Sequence, residues 1–369
     1  MYIESIELNN YRNYEELAVR FDRGTNIIFG DNAQGKTNIL ESLYICGTTK
    51  SHRGSRDKEI IRFNCDEAHI KMFVNKNDIS RRIDIHLKKS KSKGIAINGV
   101  PVKKSSDLLG LVNIIFFSPE DLFIIKNGPS ERRRFIDMEL CQLNKIYLYN
   151  LTKYNKILEQ RNRLLKDISY SNDKTLIDTL DIWDMQLSDY GSRIIEERKK
   201  FIDEINMIIC NIHRKLSGGD EELVLRYEPN VGKEGFYEKL KNNREKDLVS
   251  KSTTSGPHRD DIGFYLNDVD VRKYGSQGQQ RTCALSLKLS EIEIVGNMIH
   301  DIPVLLLDDV LSELDKKRQN QLLDCLKGIQ TIITCTGLDE FVESKLSVSK
   351  VYKVVKGSIM EGSIQEGAK

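Results

Sequence analysis

Gly30-Asp31-Asn32-Ala33-Gln34-Gly35-Lys36-Thr37 fits the pattern G-x-x-x-x-G-K-[ST], and its flanks are the ones that pattern needs. The apolar run Asn26-Ile27-Ile28-Phe29 predicts a strand before it, and Asn38 to Cys46 a helix after it. Glycines at both ends let the backbone curl until successive N–H groups face inward. The helix N-terminus adds its positive end, so the loop becomes an anion nest. Lys36 is placed to reach the β- and γ-phosphates, and the Thr37 hydroxyl to ligate magnesium. The bland alternative is an ordinary glycine turn; the flanks favour a nucleoside-triphosphate site.

Such a site needs a carboxylate at the end of a buried strand beside the loop. Val304-Leu305-Leu306-Leu307-Asp308-Asp309 supplies it: four apolar residues and then two acids, the Walker B pattern. Asp308 is assigned to the magnesium shell, through water or directly, and Asp309 to orienting or deprotonating the attacking water. A strand ending in helix-capping acids is the plainer reading. About 270 residues separate Lys36 from Asp308, against about 30 for one βαβ unit, so the chain between them reads as an insertion within one nucleotide-binding core.

A third stretch is Tyr274-Gly275-Ser276-Gln277-Gly278-Gln279-Gln280-Arg281. Ser276 and Gln279 make an S-x-x-Q capping box, which starts a helix at Gln277 with exposed N–H groups, and Gly278 lets a ligand approach the backbone. A capping serine is worth about 1 kcal/mol by itself and would explain Ser276 without function. It does not explain a polar, glycine-containing, nearly uncharged first turn. That turn suits a second anion site. One monomer already has its phosphate loop, so Ser276, Gln277, Gly278 and Gln279 are expected to face the γ-phosphate of a second subunit in a twofold dimer. Leu216-Ser217-Gly218-Gly219 imitates a transporter signature, but the acids Asp220-Glu221-Glu222 follow, and it reads as a helix end with a glycine cap.

Around these motifs the pattern is β-rich from Tyr2 to Val102, with three strands leading into the loop and Asn98-Gly99 as a type I′ hairpin turn. Val112 to Phe117 reads as a buried strand, Ser118-Pro119 as a helix start, and another short helix follows Pro129. From residue 140 to 212 apolar positions step by threes and fours, giving two long amphipathic helices joined by the polar link Ser169 to Lys174. An antiparallel helical hairpin or a pair of plain core helices follows. Strand patterns return at Leu223 to Tyr227 and Ile262 to Leu266; Gln277 to Met298 and Lys316 to Leu326 are helical, and Thr331 to Thr334 is a last buried strand.

Composition bounds the function. At 369 residues, 30% charged and 39% hydrophobic, the chain has material for two lobes, and 57 Lys and Arg against 55 Asp and Glu leave about +2, so any basic face must be local. Lys88 to Lys93 and Arg132-Arg133-Arg134 are the dense runs, either solvated surface or DNA phosphate contacts. The seven scattered cysteines contain no C-x-x-C pair, which argues against zinc or a disulfide framework and for a reducing cytoplasm. With no apolar leader at Met1 and no run approaching the ~20 residues a bilayer needs, a cytoplasmic protein with no membrane partner is expected.

With these pieces placed, the chain resembles the RecF family of bacterial recombinational-repair ATPases, relatives of the SMC and ABC heads. The likeness runs nearly end to end: Leu8-Asn9-Asn10-Tyr11-Arg12-Asn13-Tyr14; Gly30 to Thr37 with Asn38; Ser51-His52-Arg53; Phe117 to Leu122; Gly128 to Phe135; Gly256-Pro257-His258-Arg259-Asp260-Asp261; Ser276 to Arg281; and Leu307 to Asp315. It implies an α/β, ABC/SMC-type P-loop ATPase head, a mixed-sheet lobe plus an inserted helical arm. The expected division is 1–138 and 221–369 for the head and 139–220 for the arm. It further implies ATP with magnesium, ATP-dependent homodimerisation on double-stranded or gapped DNA, weak DNA-stimulated hydrolysis, and cooperation with RecR and RecO in placing RecA at single-strand gaps, in support of the SOS response. Ser312, Glu313, Leu314 and Asp315 would be the D-loop crossing the dimer interface. Departures from the wider ABC pattern are Asp309 in place of the usual glutamate and Cys335-Thr336-Gly337 without a switch histidine. An SMC-like ATPase or nuclease of another DNA-processing system, or a transporter-energising subunit, is the alternative.

Overall fold

Alternation of apolar and polar residues through the first hundred positions produces an antiparallel six-stranded sheet. Its order is Tyr14–Arg20, Tyr2–Tyr11, Glu67–Lys76, Ile79–Lys88, Gly94–Ile97, Val100–Pro101. One face carries Ile3, Ile6, Leu8, Ile70, Met72, Ile83, Ile85 and Leu87, all buried; the period of two holds along each strand except where a register shift between Ile3 and Ser5 keeps Ile3 and Ile6 together. Asn98 and Gly99 both take positive φ, 52° and 80°, the signature of the expected type I′ turn. The computed structural model describes residues 1–171, 174–219, 221–337 and 348–362.

The continuous apolar runs build a second sheet, ordered Ser358–Gly362, Val348–Val355, Thr25–Phe29, Thr331–Cys335, Val304–Asp308, Ile114–Phe117. Four of its five pairings are parallel, and the edge hairpin of Val348–Val355 with Ser358–Gly362 is antiparallel. Strands buried on both faces explain why Ile27, Ile28, Leu305, Leu306, Ile332 and Ile333 are nearly inaccessible. The sequence reading missed the closing hairpin. The end of the acidic strand lies beside the loop as expected, with Thr331–Cys335 running between the acidic strand and the strand that leads into the loop. The helix Lys36–Thr48 buries Ile39, Leu40, Leu43 and Cys46 in the core shared by both sheets.

Contacts divide the chain into two units, Met1–Asp121 with Glu291–Lys369, and Leu122–Ser290. The second unit is therefore larger than the arm expected at 139–220. Its boundary shifts because Pro129–Leu143 is tied inside it: Arg132 pairs with Asp261 at 2.6 Å and Asp137 with Arg198 at 2.8 Å. The helices Lys145–Ser171 and Leu180–Ser217 are antiparallel neighbours, with Asn144 bonded to Glu197, Tyr149 stacked edge-on to Tyr190 and Arg161 paired with Asp184. Gly218, at φ 105°, caps the second helix as expected, and Asp220 lies outside the described residues. A three-stranded sheet, Val269–Asp270, Asp261–Leu266, Leu223–Glu228, completes the unit.

Candidate nucleotide site

The parallel strand Thr25–Phe29 delivers the chain to Gly30, and the helix starts at Lys36. Gly30 (φ 151°), Ala33 (φ 62°) and Gly35 (φ 112°) bend the loop back on itself. Both glycines are also demanded by space: a Cβ at Gly30 would run into the Val354 carbonyl, and one at Gly35 into the Asn13 and Tyr14 side chains. The Lys36 ammonium donates to the carbonyls of Gly30 at 2.7 Å and Asp31 at 3.0 Å, so the cation sits at the mouth of the loop.

Thr37 and Asp308 stand 271 positions apart in sequence, yet the Thr37 hydroxyl donates to Asp308 Oδ1 at 2.8 Å. The same oxygen accepts from the hydroxyl of Thr334 at 2.7 Å, so the intervening strand bridges the acidic strand to the loop. Burial raises the Asp308 carboxyl above its ordinary range; the two threonine hydrogen bonds offset part of that, and the neighbouring Asp309 adds to it. Asp309 takes a left-handed backbone conformation, φ 52°, with its N–H donated to Thr334 O at 3.2 Å and Oγ1 at 3.1 Å. A non-glycine residue held there is strained and marks a place where the fold imposes a geometry. Ser312 bonds back to the Asp309 carbonyl at 2.7 Å, Leu311–Glu313 forms a 3₁₀ turn, and past Leu314 the Asp315 carboxylate caps the helix Lys316–Cys325.

A second layer supports the loop; of its side chains only Asn38, expected among the nucleotide-binding residues, had a role assigned from sequence. Asn38 donates to Asn13 Oδ1 at 2.8 Å, Asn13 to the Gln34 carbonyl at 2.9 Å, and Arg53 to Asn38 Oδ1 at 3.3 Å. Beneath them Glu41, fully buried on the loop helix, accepts from Arg12 at 2.6 and 2.8 Å, Ser51 at 2.5 Å and Tyr11 at 3.1 Å. Burial alone would raise its carboxyl; the Arg12 and Ser51 bonds outweigh it and leave the group lowered. Arg12, Asn13, Ser51 and Arg53 were signalled only by the strings Leu8 to Tyr14 and Ser51 to Arg53, Asn38 by its place after the phosphate loop, and Glu41 by nothing in the sequence.

In the other unit the Ser276 cap is built as read: its N–H donates to Gln279 Oε1 at 2.9 Å and the Gln279 N–H to Ser276 Oγ at 3.2 Å. A Cβ at Gly278 would meet nothing nearer than Ser276 Oγ at 3.8 Å, so packing within the subunit does not demand glycine there. Gln279 is tied to Glu221 at 2.7 Å, and Gln277 begins the helix that runs to Ile299. His258 belongs to the architecture, held by Tyr154 at 2.6 Å and the Thr253 carbonyl at 3.0 Å, with burial pushing its imidazole down to about 4. Several members of the basic runs are engaged by acids or carbonyls of the chain. Arg132 is buried against Asp261 and Arg133 donates to the Asp260 carbonyl, while Lys88, Lys89 and Lys93 pair with Glu67, Asp66 and Asp57. Arg132 is thereby removed as a candidate phosphate contact.

Residues 2–360 match the RecF/RecN/SMC N-terminal domain. Curated relatives extend the match to the whole chain. "DNA replication and repair protein RecF" of Agathobacter rectalis is 63% identical, covering 97% of this chain and 99% of the relative. The protein of that name from Lachnoclostridium phytofermentans is 59% identical over 98% of this chain and 100% of its own. The chain belongs to the RecF family. Among solved structures, the RecF recombination mediator bound to ATP superposes with a TM-score of 0.92 at 35% identity, covering 98% of each chain. An SMC head from Pyrococcus furiosus, at TM-score 0.57 and 18% identity over 98% of this chain and 96% of its own, shares the fold. The fold is thus the SMC-type α/β head, with a helical arm as expected. No helix among the described residues is long and apolar enough to cross a membrane.

Proposed function

We propose that this chain is an ATP-controlled DNA-binding protein of recombinational repair and replication restart, dimerising on double-stranded or gapped DNA with ATP enclosed between subunits and hydrolysing it slowly. The observation that carries the reading is the 2.8 Å contact of Thr37 with Asp308, which joins the two halves of a nucleotide site at a hydroxyl and a carboxylate. Its RecF relatives are named for DNA replication and repair, and one solved relative for binding ATP in the RecFOR pathway. Assistance to RecR and RecO in loading RecA at gaps, and support of the SOS response, follow from that kinship.

Gly30, Asp31, Asn32, Ala33, Gln34 and Gly35 would wrap the phosphates with backbone N–H groups, Lys36 would neutralise the β- and γ-oxygens, and Asn38 would sit at the loop's exit. The donor set of Thr37 and Asp308, a hydroxyl and a carboxylate held together, fits a hard cation. Magnesium bound there would neutralise charge on the phosphoryl oxygens. Asp309, fixed by its backbone bonds to Thr334, would orient or deprotonate the attacking water. Ser276, Gln277, Gly278 and Gln279 of a second copy would close the pocket, and Ser312 to Asp315 would cross the interface as the D-loop.

The test is sedimentation with and without ATP and gapped duplex. Ser276→Arg is expected to abolish ATP-dependent dimers while leaving monomer nucleotide binding intact. A variant that dimerises normally with ATP refutes the shared pocket. Lys36→Ala is expected to abolish nucleotide binding altogether.

A further inference from the structure

The antiparallel sheet has an outer face with chemistry of its own. On the strand Glu67–Lys76 the buried residues are Ala68, Ile70, Met72 and Val74, which turns Glu67 and His69 outward together. On the neighbouring strand Ile85 and Leu87 are buried, so His86 and Lys88 face the same way. Register places His69 directly opposite His86, and Glu67 opposite Lys88. The two imidazoles stack with centroids 3.9 Å apart, 23° from parallel. Glu67 lies against both, at 3.0 Å from His86 Nε2 and 3.9 Å from His69 Nε2.

We propose that Glu67, His69 and His86 form a surface site for a borderline divalent transition-metal ion, with zinc as the reference ligand. Two imidazoles and a carboxylate are a zinc-type donor set, unlike the all-oxygen pair at Thr37 and Asp308. One ligand atom from each residue falls within 4.8 Å of the other two. Bonds of about 2.0–2.2 Å in tetrahedral geometry separate ligands by about 3.3–3.6 Å. Closing that gap would turn the stacked rings about their second side-chain torsion, which is broad for histidine. The backbone stays where the sheet holds it. Gly94, beside His86 across the next strand pair, adds no side chain and leaves that flank open for a solvent ligand. Lys88, 3.2 Å from Glu67 Oε2, is the competitor that an ion must displace, whereas Lys71 is occupied by Glu7 at 2.6 Å.

The experiment uses the full chain without a histidine tag, stripped by chelator and free of nucleotide. It is titrated with zinc by calorimetry and with cobalt by visible absorption. One equivalent is expected, with the absorption of a four-coordinate cobalt ion. His69→Gln and His86→Gln should each weaken binding about tenfold or more, since losing even a supporting residue of a metal site costs about 10–100-fold. Lys88→Ala should tighten it. Both histidines are on the surface, so unchanged thermal midpoints without metal will show that the variants fold. Absence of stoichiometric zinc uptake overturns the site, as does uptake undiminished in the double variant H69Q/H86Q, which would put the ion elsewhere.

Discussion

At Asp308 the demands of stability and of chemistry pull apart. The group is a buried carboxylate whose folded-state pKa is raised, first by desolvation. A carboxyl raised on folding is easier to bury protonated, so its contribution favours the fold below the unfolded pKa of about 3.9 and is lost as pH rises through the higher folded value. Asp308→Asn keeps an oxygen to accept from Thr37 and Thr334 and removes the buried charge. It is expected to raise the thermal midpoint near neutral pH, to lose that advantage in acid, and to cripple magnesium-dependent hydrolysis; a pH series of melting curves reads the first two. Glu41 has the opposite sign. Its lowered pKa stabilises the fold above the unfolded value of about 4.3, and that stability is lost as pH falls through the folded pKa. Glu41→Gln should therefore destabilise at neutral pH and weaken nucleotide binding by loosening Arg12 and Ser51 from the loop helix, with the two proteins converging in acid.

The arm shows the same competition at the level of an element. Arg161, Asp184 and Asp247 are fully buried, with Arg161 at 2.7 Å from each carboxylate and 2.8 Å from the Thr253 hydroxyl, and Arg244 closing on Asp184 at 2.6 Å. Removing one member strands a buried charge, so Arg161→Ala is expected to cost about 3–5 kcal/mol in denaturant unfolding. Gly191 lies within the 38-residue helix Leu180–Ser217. Helix propensity says that Gly191→Ala should gain up to about 1 kcal/mol. The added Cβ, however, would run into the rings of Phe236 and Tyr154, and overpacking costs about 1–3 kcal/mol. We expect packing to win and the variant to be less stable; a higher midpoint would mean that the Phe236 ring yields freely. The period of threes and fours made both helices legible in the sequence. The polar network was not, because Arg161, Asp184 and Asp247 look like surface charges until the fold brings them together.

For the molecule as a whole, nucleotide should act as a folding ligand. ATP at 100 times its dissociation constant is expected to stabilise the chain by about 2.7 kcal/mol, and Lys36→Ala to abolish that shift. If the pocket is shared between two copies, the ATP-induced rise in midpoint will also grow with protein concentration, which a dilution series reads directly. The sequence by itself determined the loop Gly30 to Thr37, the acidic strand end at Asp308, the capping box at Ser276 and the helical arm. Each of these is a local rule, written in neighbouring residues by periodicity, glycine placement or hydrogen-bond reach along the chain. Tertiary structure alone decided that Thr331–Cys335 lies between loop strand and acidic strand, so that Thr334 joins Asp308 to the site. It also decided that Arg12, Ser51 and Glu41 brace the loop from below, that Arg132 is an internal ion pair, and that His69 and His86 meet across two strands. Strand order and cross-strand register are set by long-range burial of whole faces, and no window of neighbouring residues contains that information.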